Sequence, residues 1–365
     1  MAGRSGPVKR VLGRAPADDE LEVTVLGCGY GESIVVHRGN NRWFVIDSFV
    51  HKTATDDGIV ERTSAALAYL TAIGVEPSHV DDVFLSHYHE DHSAGLQFLA
   101  EATDARFHWP PPLNRNGSGP GSGKDRDFRA VEAVLDELVA ADERRSRVGV
   151  SNLRDARVAL GQRRARIASK IRVYPNKPPI NGVLKVLAPV GEYQNREFPG
   201  IAKRTRRAEK DRNLSSLVLQ LTVDGVSVIF GADLENDARL GWAGVVRDEV
   251  NDRVSGGTVT PLATLVKIPH HGSRGSVHLN FYDELVDRSA IAILTTQDRG
   301  STNLPDEEAA RLAPERVARV VHVGSPLPTS TDGMTAAQRK TEHVTFRRRL
   351  GEEQWRDVHD GVQVL

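Results

Sequence analysis

The stretch Leu85-Ser86-His87-Tyr88-His89-Glu90-Asp91-His92 carries three histidines and one aspartate within six residues. It follows an apolar run that predicts a β-strand, and it precedes a pattern that predicts a helix. If the strand continues to His89, its alternation points His87 and His89 to the same side, with Asp91 and His92 on the turn into the helix. Imidazole nitrogens and carboxylates are ligands that zinc, manganese and iron accept in catalytic sites. The stretch therefore predicts a metal centre at a strand end.

Two later strand ends offer further ligands of the same kind. The predicted strand Val226–Phe230 is followed by Gly231-Ala232-Asp233, and a second strand is followed by Pro269-His270-His271-Gly272-Ser273. A lone strand-end aspartate is more often a turn residue, and a lone histidine pair usually faces solvent. Taken with the first cluster, the three strand ends predict one shared site.

The composition is that of a globular enzyme, with 365 residues, 39% of them hydrophobic and 27% charged. These values exclude disordered and fibrous classes. No apolar run approaches the roughly 18 residues of a membrane helix, and the first residues lack a signal-peptide core, so we expect a cytoplasmic protein without a membrane partner. The single cysteine, Cys28, excludes internal disulfides and thiolate-rich metal sites. Any metal must therefore be held by nitrogen and oxygen ligands.

The order of predicted elements indicates an α/β or α+β fold. Residues 1–20 are expected to form a flexible tail, and residues 21–365 one domain with a basic, partly helical insertion at about 110–170. A helix is expected from about residue 57 to residue 73, with Gly74 as its stop. Asp224-Gly225 predicts a two-residue hairpin turn.

Basic residues are concentrated in one segment, although the net charge is only -1. Residues 154–212 hold 16 basic and 5 acidic residues. The densest part, which includes Lys203, Arg204, Arg206 and Arg207, leads directly into a predicted strand near Asn213. Such asymmetry is typical of a surface that meets a polyanion, although a solvated helical surface is the alternative interpretation.

At this point the sequence resembles the metallo-β-lactamase-fold hydrolases, from about residue 21 to residue 323. Within that superfamily it is similar to the hydrolase domain of the DNA-internalisation competence protein and its soluble relatives. Besides the three strand-end motifs, the matching segments are 23–33, Val45-Ile46-Asp47, Leu187-Ala188-Pro189, 213–219 and Lys267-Ile268. The resemblance implies an αββα sandwich with two divalent metal ions, zinc or manganese, at one edge.

The resemblance also implies a ligand set. His87 and His89 would hold the first ion, Asp91 and His92 the second, and Asp233 would bridge them. One histidine of the pair His270 and His271 would complete the second ion; His271 is assigned, with His270 as the alternative. The mid-chain histidine that many members supply to the first ion is missing, because His108 follows the first motif too closely. Asn213 or water is expected there, so the first ion would be weakly held.

Hydrolysis is the reaction that such a centre performs, with a metal-bound hydroxide as the nucleophile. Asp91 and His270 are the expected catalytic residues, with His270 as a proton donor or a substrate contact. Lys267, Ser273 and Arg274 are expected to contact a substrate oxygen. Asp47 either orients a ligating histidine or is a plain turn residue.

The substrate is the open question. The resemblance and the basic segment favour a phosphodiesterase or nuclease acting on nucleic acid or another phosphodiester. The alternatives are an acyl hydrolase acting on a thioester, lactone or β-lactam, and a non-catalytic metal-binding subunit of a protein partner that the sequence does not identify.

Overall fold

The computed structural model describes eleven segments of the chain. They are residues 14–27, 29–54, 59–87, 89–108, 171–173, 182–189, 213–255, 260–276, 278–298, 303–324 and 343–358. The expected insertion at about 110–170 and the basic residues Lys203, Arg204, Arg206 and Arg207 lie outside these segments.

Sixteen strands and six α-helices form the described part. The strands are β1 (Glu20–Gly27), β2 (Glu32–Arg38), β3 (Trp43–Ile46), β4 (Val50–Ala54), β5 (Val60–Ser64), β6 (Val80–Phe84), β7 (Arg106–His108), β8 (Ile171–Val173), β9 (Gly182–Ala188), β10 (Val218–Val223), β11 (Val226–Phe230), β12 (Ala263–Lys267), β13 (Val286–Thr295), β14 (Arg319–Val323), β15 (His343–Arg349) and β16 (Arg356–Asp357). The helices are α1 (Ala65–Ala72), α2 (Glu90–Ser93), α3 (Leu96–Ala102), α4 (Trp242–Val254), α5 (Leu279–Leu285) and α6 (Glu307–Arg316).

Two seven-stranded sheets hold all strands of the described segments except a separate β4–β5 hairpin. Their strand orders are β16-β15-β1-β2-β3-β6-β7 and β14-β13-β12-β11-β10-β9-β8. Strands β3 and β6 are parallel neighbours, and so are β11, β12, β13 and β14. Parallel neighbours carry their carboxyl ends to the same edge of a sheet, which gathers the strand-end motifs.

The sheets pack face to face over an apolar core. Alternation along β1 shows how the sequence produces this arrangement: Leu21, Val23 and Val25 join the core between the sheets. The intervening Glu22 and Thr24 face the other way, where both hydrogen-bond to the Tyr69 hydroxyl of α1. Each outer sheet face is covered by its own apolar cluster, with α1 and α3 on one side and α4, α5 and α6 on the other. The four layers are the expected αββα sandwich.

The local turn chemistry confirms two predictions. Asp224 and Gly225 have φ values of 49° and 73°, the positive pair that a type I′ hairpin turn needs. Gly74, with a φ of 78°, follows the end of α1.

The prediction of a helix from residue 57 was wrong in its first half. Val60–Ser64 is strand β5, paired antiparallel with β4. The Ser64 hydroxyl accepts a hydrogen bond from Leu67 N at 3.3 Å and caps α1 there. The apolar face that suggested the helix belongs to the residues after this cap.

The strand that precedes the first histidine motif ends before the histidines. Strand β6 ends at Phe84 rather than His89, so the motif lies in a loop and in the short helix α2. Glu20, the last residue of the expected tail, begins β1, and its side chain accepts a hydrogen bond from Ala17 N at 2.9 Å. Residues 1–13 lie outside the described segments.

Candidate metal centre

The carboxylate of Asp233 is the point on which the three strand-end motifs converge. Asp233 lies three residues after β11 and is buried. Its Oδ2 lies 3.7 Å from His87 Nε2, 3.8 Å from His270 Nε2 and 3.9 Å from His271 Nε2. Its Oδ1 lies 3.6 Å from His92 Nε2. Four imidazoles from two segments therefore surround one carboxylate.

The remaining two predicted ligands lie beside these imidazoles. Asp91 Oδ2 is 3.8 Å from His92 Nε2. His89 Nδ1 is 2.8 Å from His87 Nε2, so two ring nitrogens of the first motif point towards each other. The structure thus brings together all six side chains that the sequence nominated as ligands.

Asp47 contacts His92 directly and His87 through Ser86. It follows β3, and its Oδ1 accepts a hydrogen bond from Ser86 N at 2.6 Å. Its Oδ2 accepts from Ser86 Oγ at 2.5 Å and lies 2.7 Å from His92 Nδ1. Ser86 Oγ in turn lies 2.9 Å from His87 Nδ1. Because the Nδ1 atoms of His87 and His92 are engaged in this way, their Nε2 atoms face Asp233.

Backbone strain is concentrated at the same place. Asp47, Ala232, His270 and His271 have φ values of 58°, 47°, 46° and 51°. These are four of the seven non-glycine residues with positive φ in the described segments. The left-handed region costs roughly 1–2 kcal/mol per residue, and such conformations cluster at functional sites. Here they turn the chain sharply after β3, β11 and β12, which directs side chains into one cleft.

The donor set fits divalent metal ions. The buried atoms His92 Nε2, His271 Nε2 and Asp233 Oδ1 have no hydrogen-bond partner in the structure. Neighbouring ligands on one tetrahedral ion are about 3.3 Å apart, given metal–ligand distances near 2.0–2.2 Å. The observed separations of 2.8–3.9 Å lie around that value. Three triads in the described segments could hold an ion, and because all three include His92 they are alternatives: His87, His92 and Asp233; Asp91, His92 and His271; and Glu32, Asp47 and His92.

The electrostatics of the cluster favour a cation. Burial opposes ionisation of Asp233, but the imidazoles of His92, His270, His271 and His87 outweigh it and hold the pKa of the carboxyl well below its usual range. Burial lowers the pKa of both His87 and His271 well below the usual value, which keeps them neutral, as a ligand must be. Burial also opposes protonation of His92, but Asp233, Asp47 and Asp91 raise its pKa to about 10. The three carboxylates thus strongly stabilise a positive charge at this point.

The two adjacent histidines of the third motif differ in access. The His271 side chain is 1% exposed, with Nδ1 2.9 Å from Thr295 Oγ1. The His270 side chain is 19% exposed, and its Nδ1 lies 3.7 Å from Glu235 Oε1. His271 therefore suits a fixed ligand, and His270 is partly open to solvent.

Asn213 lies in the same neighbourhood. Its Nδ2 donates to Glu235 Oε1 at 2.9 Å, and its buried Oδ1 has no hydrogen-bond partner in the structure. Glu235 thus joins the side chains of Asn213 and His270.

The three residues expected to contact substrate each have a partner within the protein. Lys267 is buried, and its Nζ lies 2.5 Å from Glu32 Oε2, so the prediction of a substrate contact is wrong for Lys267. The Arg274 side chain is 81% exposed and turns to Glu308 on α6, with Nε–Oε2 at 3.0 Å. The Ser273 hydroxyl accepts a hydrogen bond from Gly275 N at 3.2 Å. The substrate contacts of Ser273 and Arg274 stay predictions.

The sequence reasoning missed Glu32 and Thr295. Glu32 opens strand β2 and Thr295 ends β13, and both are buried beside His271. A carboxylate directly before an apolar strand was the available signal, and it lay within the segment 23–33 that carried the family resemblance.

Comparison with known proteins identifies the family of this chain. Residues 26–270, more than half of the chain, match the metallo-β-lactamase superfamily. The chain is 35% identical over 95 residues to the endoribonuclease YSH1 of Mycosarcoma maydis, an alignment that covers 26% of this chain and 10% of that protein. The chain thus spans only about a tenth of the length of this relative.

The solved structures to which this chain is similar share little sequence with it. The metallo-β-lactamase-fold protein YhfI of Bacillus subtilis is 14% identical, with a TM-score of 0.38, over 84% of this chain and 97% of that chain. The short form of human tRNase Z, ELAC1, is 12% identical, with a TM-score of 0.34, over 82% of this chain and 91% of that chain.

The protein belongs to the metallo-β-lactamase superfamily, whose fold is that of metal-dependent hydrolases. In the part of the chain that the structure describes, no helix has both the length and the apolar character needed to cross a membrane.

Proposed function

We propose that this chain is a metal-dependent phosphodiesterase that acts on nucleic acid or a related phosphodiester. The observation that carries the proposal is the position of Asp233 between four imidazole nitrogens at 3.6–3.9 Å. A carboxylate in that position can serve two ions at once, and paired ions suit the displacement of an oxygen from phosphorus.

The proposed mechanism assigns a separate role to each group of residues at the site. His87, His89, Asp91, His92, Asp233 and His271 would hold two divalent ions, for which zinc and manganese remain the predicted candidates. When bound, such ions activate water and neutralise charge on the attacked oxygen. Asp47 and Ser86 hold the histidine rings in place. His270 is partly exposed and adjoins the proposed ligands, so it would give a proton to the leaving oxygen.

Two observations support a phosphodiester over an acyl substrate. The curated relative that aligns with this chain is an endoribonuclease. The segment 154–212, with 16 basic and 5 acidic residues, would attract a polyanion if it lies beside the cleft. The closer similarity to the hydrolase domain of the DNA-internalisation competence protein stays a prediction.

A substrate panel tests the proposal. The purified protein, with its metal content measured, is incubated with zinc, manganese or magnesium and with RNA, single-stranded DNA, double-stranded DNA or bis(p-nitrophenyl) phosphate. A β-lactam, a lactone and a thioester form the acyl arm. We expect hydrolysis of phosphodiesters only. Hydrolysis confined to the acyl arm would replace the proposal with the acyl-hydrolase alternative, and inactivity on every substrate despite bound metal would favour the non-catalytic alternative.

Two aspartate variants show whether the activity belongs to this site. Asp233→Asn keeps the side-chain volume but removes the carboxylate between the imidazoles, so we expect a loss of at least about 100-fold in activity. Asp248→Asn changes a half-exposed carboxylate on α4, whose partner is Arg247, and should leave activity unchanged. An Asp233→Asn variant with wild-type turnover would contradict the proposal.

A further inference from the structure

A buried line of polar groups leads from an ion pair to His271. Lys267 Nζ lies 2.5 Å from Glu32 Oε2, and the Thr295 hydroxyl donates to the same oxygen at 2.8 Å. Thr295 Oγ1 lies 2.9 Å from His271 Nδ1. All four side chains are buried. We call these four residues the Glu32 network.

The donors and acceptors of the Glu32 network leave only one direction for each proton. Glu32 Oε2 accepts from the Lys267 ammonium, so it also acts as an acceptor for Thr295. The Thr295 hydroxyl has a single proton, and that proton is directed at Glu32. Towards His271 the hydroxyl can therefore only accept, which requires the proton of the neutral imidazole to be on Nδ1. The Nε2 atom is left with a free lone pair, 3.9 Å from Asp233 Oδ2.

We propose that Glu32, acting through Thr295, is a positioning residue that fixes His271 as the Nδ1–H tautomer and so makes Nε2 a metal ligand. The inference rests on the proposed function only in taking Nε2 as the ligand atom. The role of Lys267 is to keep Glu32 Oε2 an acceptor, which explains why a lysine so close to the site makes no contact with the cleft.

The placement of the Glu32 network in the fold adds a second consequence. Glu32 belongs to β2 of one sheet, whereas Lys267 and Thr295 end β12 and β13 of the other. The hydrogen bonds therefore connect the two sheets at the edge that carries the site. On the opposite side of the cleft, Asp47 and Ser86 hold His87 in the same order of carboxylate, hydroxyl and imidazole. Each half of the site thus has a hydroxyl that lies between a buried carboxylate and an imidazole.

The first test removes the hydroxyl alone. Thr295→Val deletes the only acceptor for His271 Nδ1–H, and we expect the dissociation constant for zinc, from competition with a chromophoric chelator, to rise about 10- to 100-fold. Thr295→Ser restores a hydroxyl and should return affinity to within about threefold of wild type. Thr345→Val is the matched control, since Thr345 is also a buried strand threonine whose hydroxyl is bonded, to Thr24 at 2.9 Å. Equal losses in Thr295→Val and Thr345→Val would overturn the proposal.

The second test reads the tautomer without any metal. In chelator-treated protein labelled with ¹⁵N-histidine, the His271 ring signals, assigned by their loss in His271→Asn, should report Nδ1–H in the wild type. They should report a shift towards Nε2–H in Thr295→Val. The double variant Glu32→Met/Lys267→Met removes both buried charges together, so no unpaired ion remains, and it frees the Thr295 proton to turn to His271. It should show the same tautomer shift and a similar loss of zinc affinity.

The two measurements separate the inference from the proposed function. A wild type that binds zinc but hydrolyses nothing would contradict the proposed function and leave the Glu32 network intact. An unchanged His271 tautomer in both Thr295→Val and the double variant would overturn the network, whatever the activity.

Discussion

Asp47 Oδ2 lies 2.7 Å from His92 Nδ1, a short contact between a residue that follows β3 and one on helix α2. The same carboxylate accepts two hydrogen bonds from Ser86, next to His87. One buried side chain thus fixes the orientation of two imidazoles that approach Asp233 from different directions. Predictions about the site follow from this dependence.

Replacing Asp47 should weaken metal binding without removing any proposed ligand. In Asp47→Asn the side-chain amide would present a donor where Ser86 and His92 need an acceptor, so the rings lose their fixed orientation. We expect zinc affinity to fall about 10- to 100-fold, measured by chelator competition. Asp81→Asn removes another largely buried carboxylate, which pairs with Arg38 and Arg42, and should leave affinity unchanged. A loss confined to Asp81→Asn would refute the role given to Asp47.

Substitutions at His270 and at His271 should cause two different defects. His271→Gln should lower zinc affinity by at least about 10-fold, because it removes a buried nitrogen that faces Asp233. His270→Gln should keep the affinity within about threefold and lower kcat about 100-fold on a diester with a poor leaving group. The loss should shrink on bis(p-nitrophenyl) phosphate, whose leaving group needs little proton donation. The opposite pattern, with affinity lost in His270→Gln, would exchange the two roles.

Acid should destabilise the fold through histidines that are remote from the site. Burial lowers the pKa of His322 to about 4, against about 6.5 in the unfolded chain. The unfolded state therefore binds more protons between these values, and the free energy of unfolding should fall as the pH drops from 6.5 to 4, by at most about 3 kcal/mol for this group. Urea denaturation in the presence of a chelator, at pH 7 and at pH 5, measures the effect.

The variant His322→Leu should reduce that pH dependence. His51→Leu, at a half-buried position on the β4–β5 hairpin, is the control and should keep the wild-type dependence. If His322→Leu shows the full wild-type loss of stability between pH 7 and pH 5, the pKa of His322 is not the cause.

The basic segment should matter for polymers and not for small substrates. If Lys203, Arg204, Arg206 and Arg207 contact phosphates, replacing all four with glutamine should raise KM for a nucleic acid. It should also reduce the salt dependence of binding by up to about four in the log–log slope, at roughly 0.7–0.9 per contact. Hydrolysis of a small chromogenic diester should barely change, because such contacts would add binding remote from the reacting bond.

An arginine control distinguishes specific contacts from general charge. Replacing three exposed arginines of the described segments, Arg247, Arg288 and Arg311, removes positive charge from helix and strand surfaces without touching the basic segment. We expect no change in the salt dependence. Equal changes in both sets would indicate a non-specific field effect, and no change in either would remove the basic segment as support for a nucleic-acid substrate.

The sequence alone determined the fold class and the strand ends that carry ligands, because both depend on local patterns. Alternation along β1 and the apolar run of β11 are properties of a few consecutive residues. So is the Asp224-Gly225 turn, whose positive φ values follow from the residue types. The sequence predicts the start of α1 too early, because the pairing of β5 with β4 depends on tertiary contacts that helical periodicity does not reveal.

Only the tertiary structure decided how these strand ends meet and which neighbours serve them. Lys267 is next to the third motif in the sequence, yet the pairing of the sheets turns it away from the cleft to Glu32, more than two hundred residues earlier in the chain. His270 and His271 are adjacent and chemically identical, yet the fold buries the ring of His271 against Thr295 and leaves the ring of His270 partly exposed beside Glu235. Hydrogen bonds between distant segments depend on strand order and on the packing of one sheet against the other, and neither is contained in the local sequence pattern.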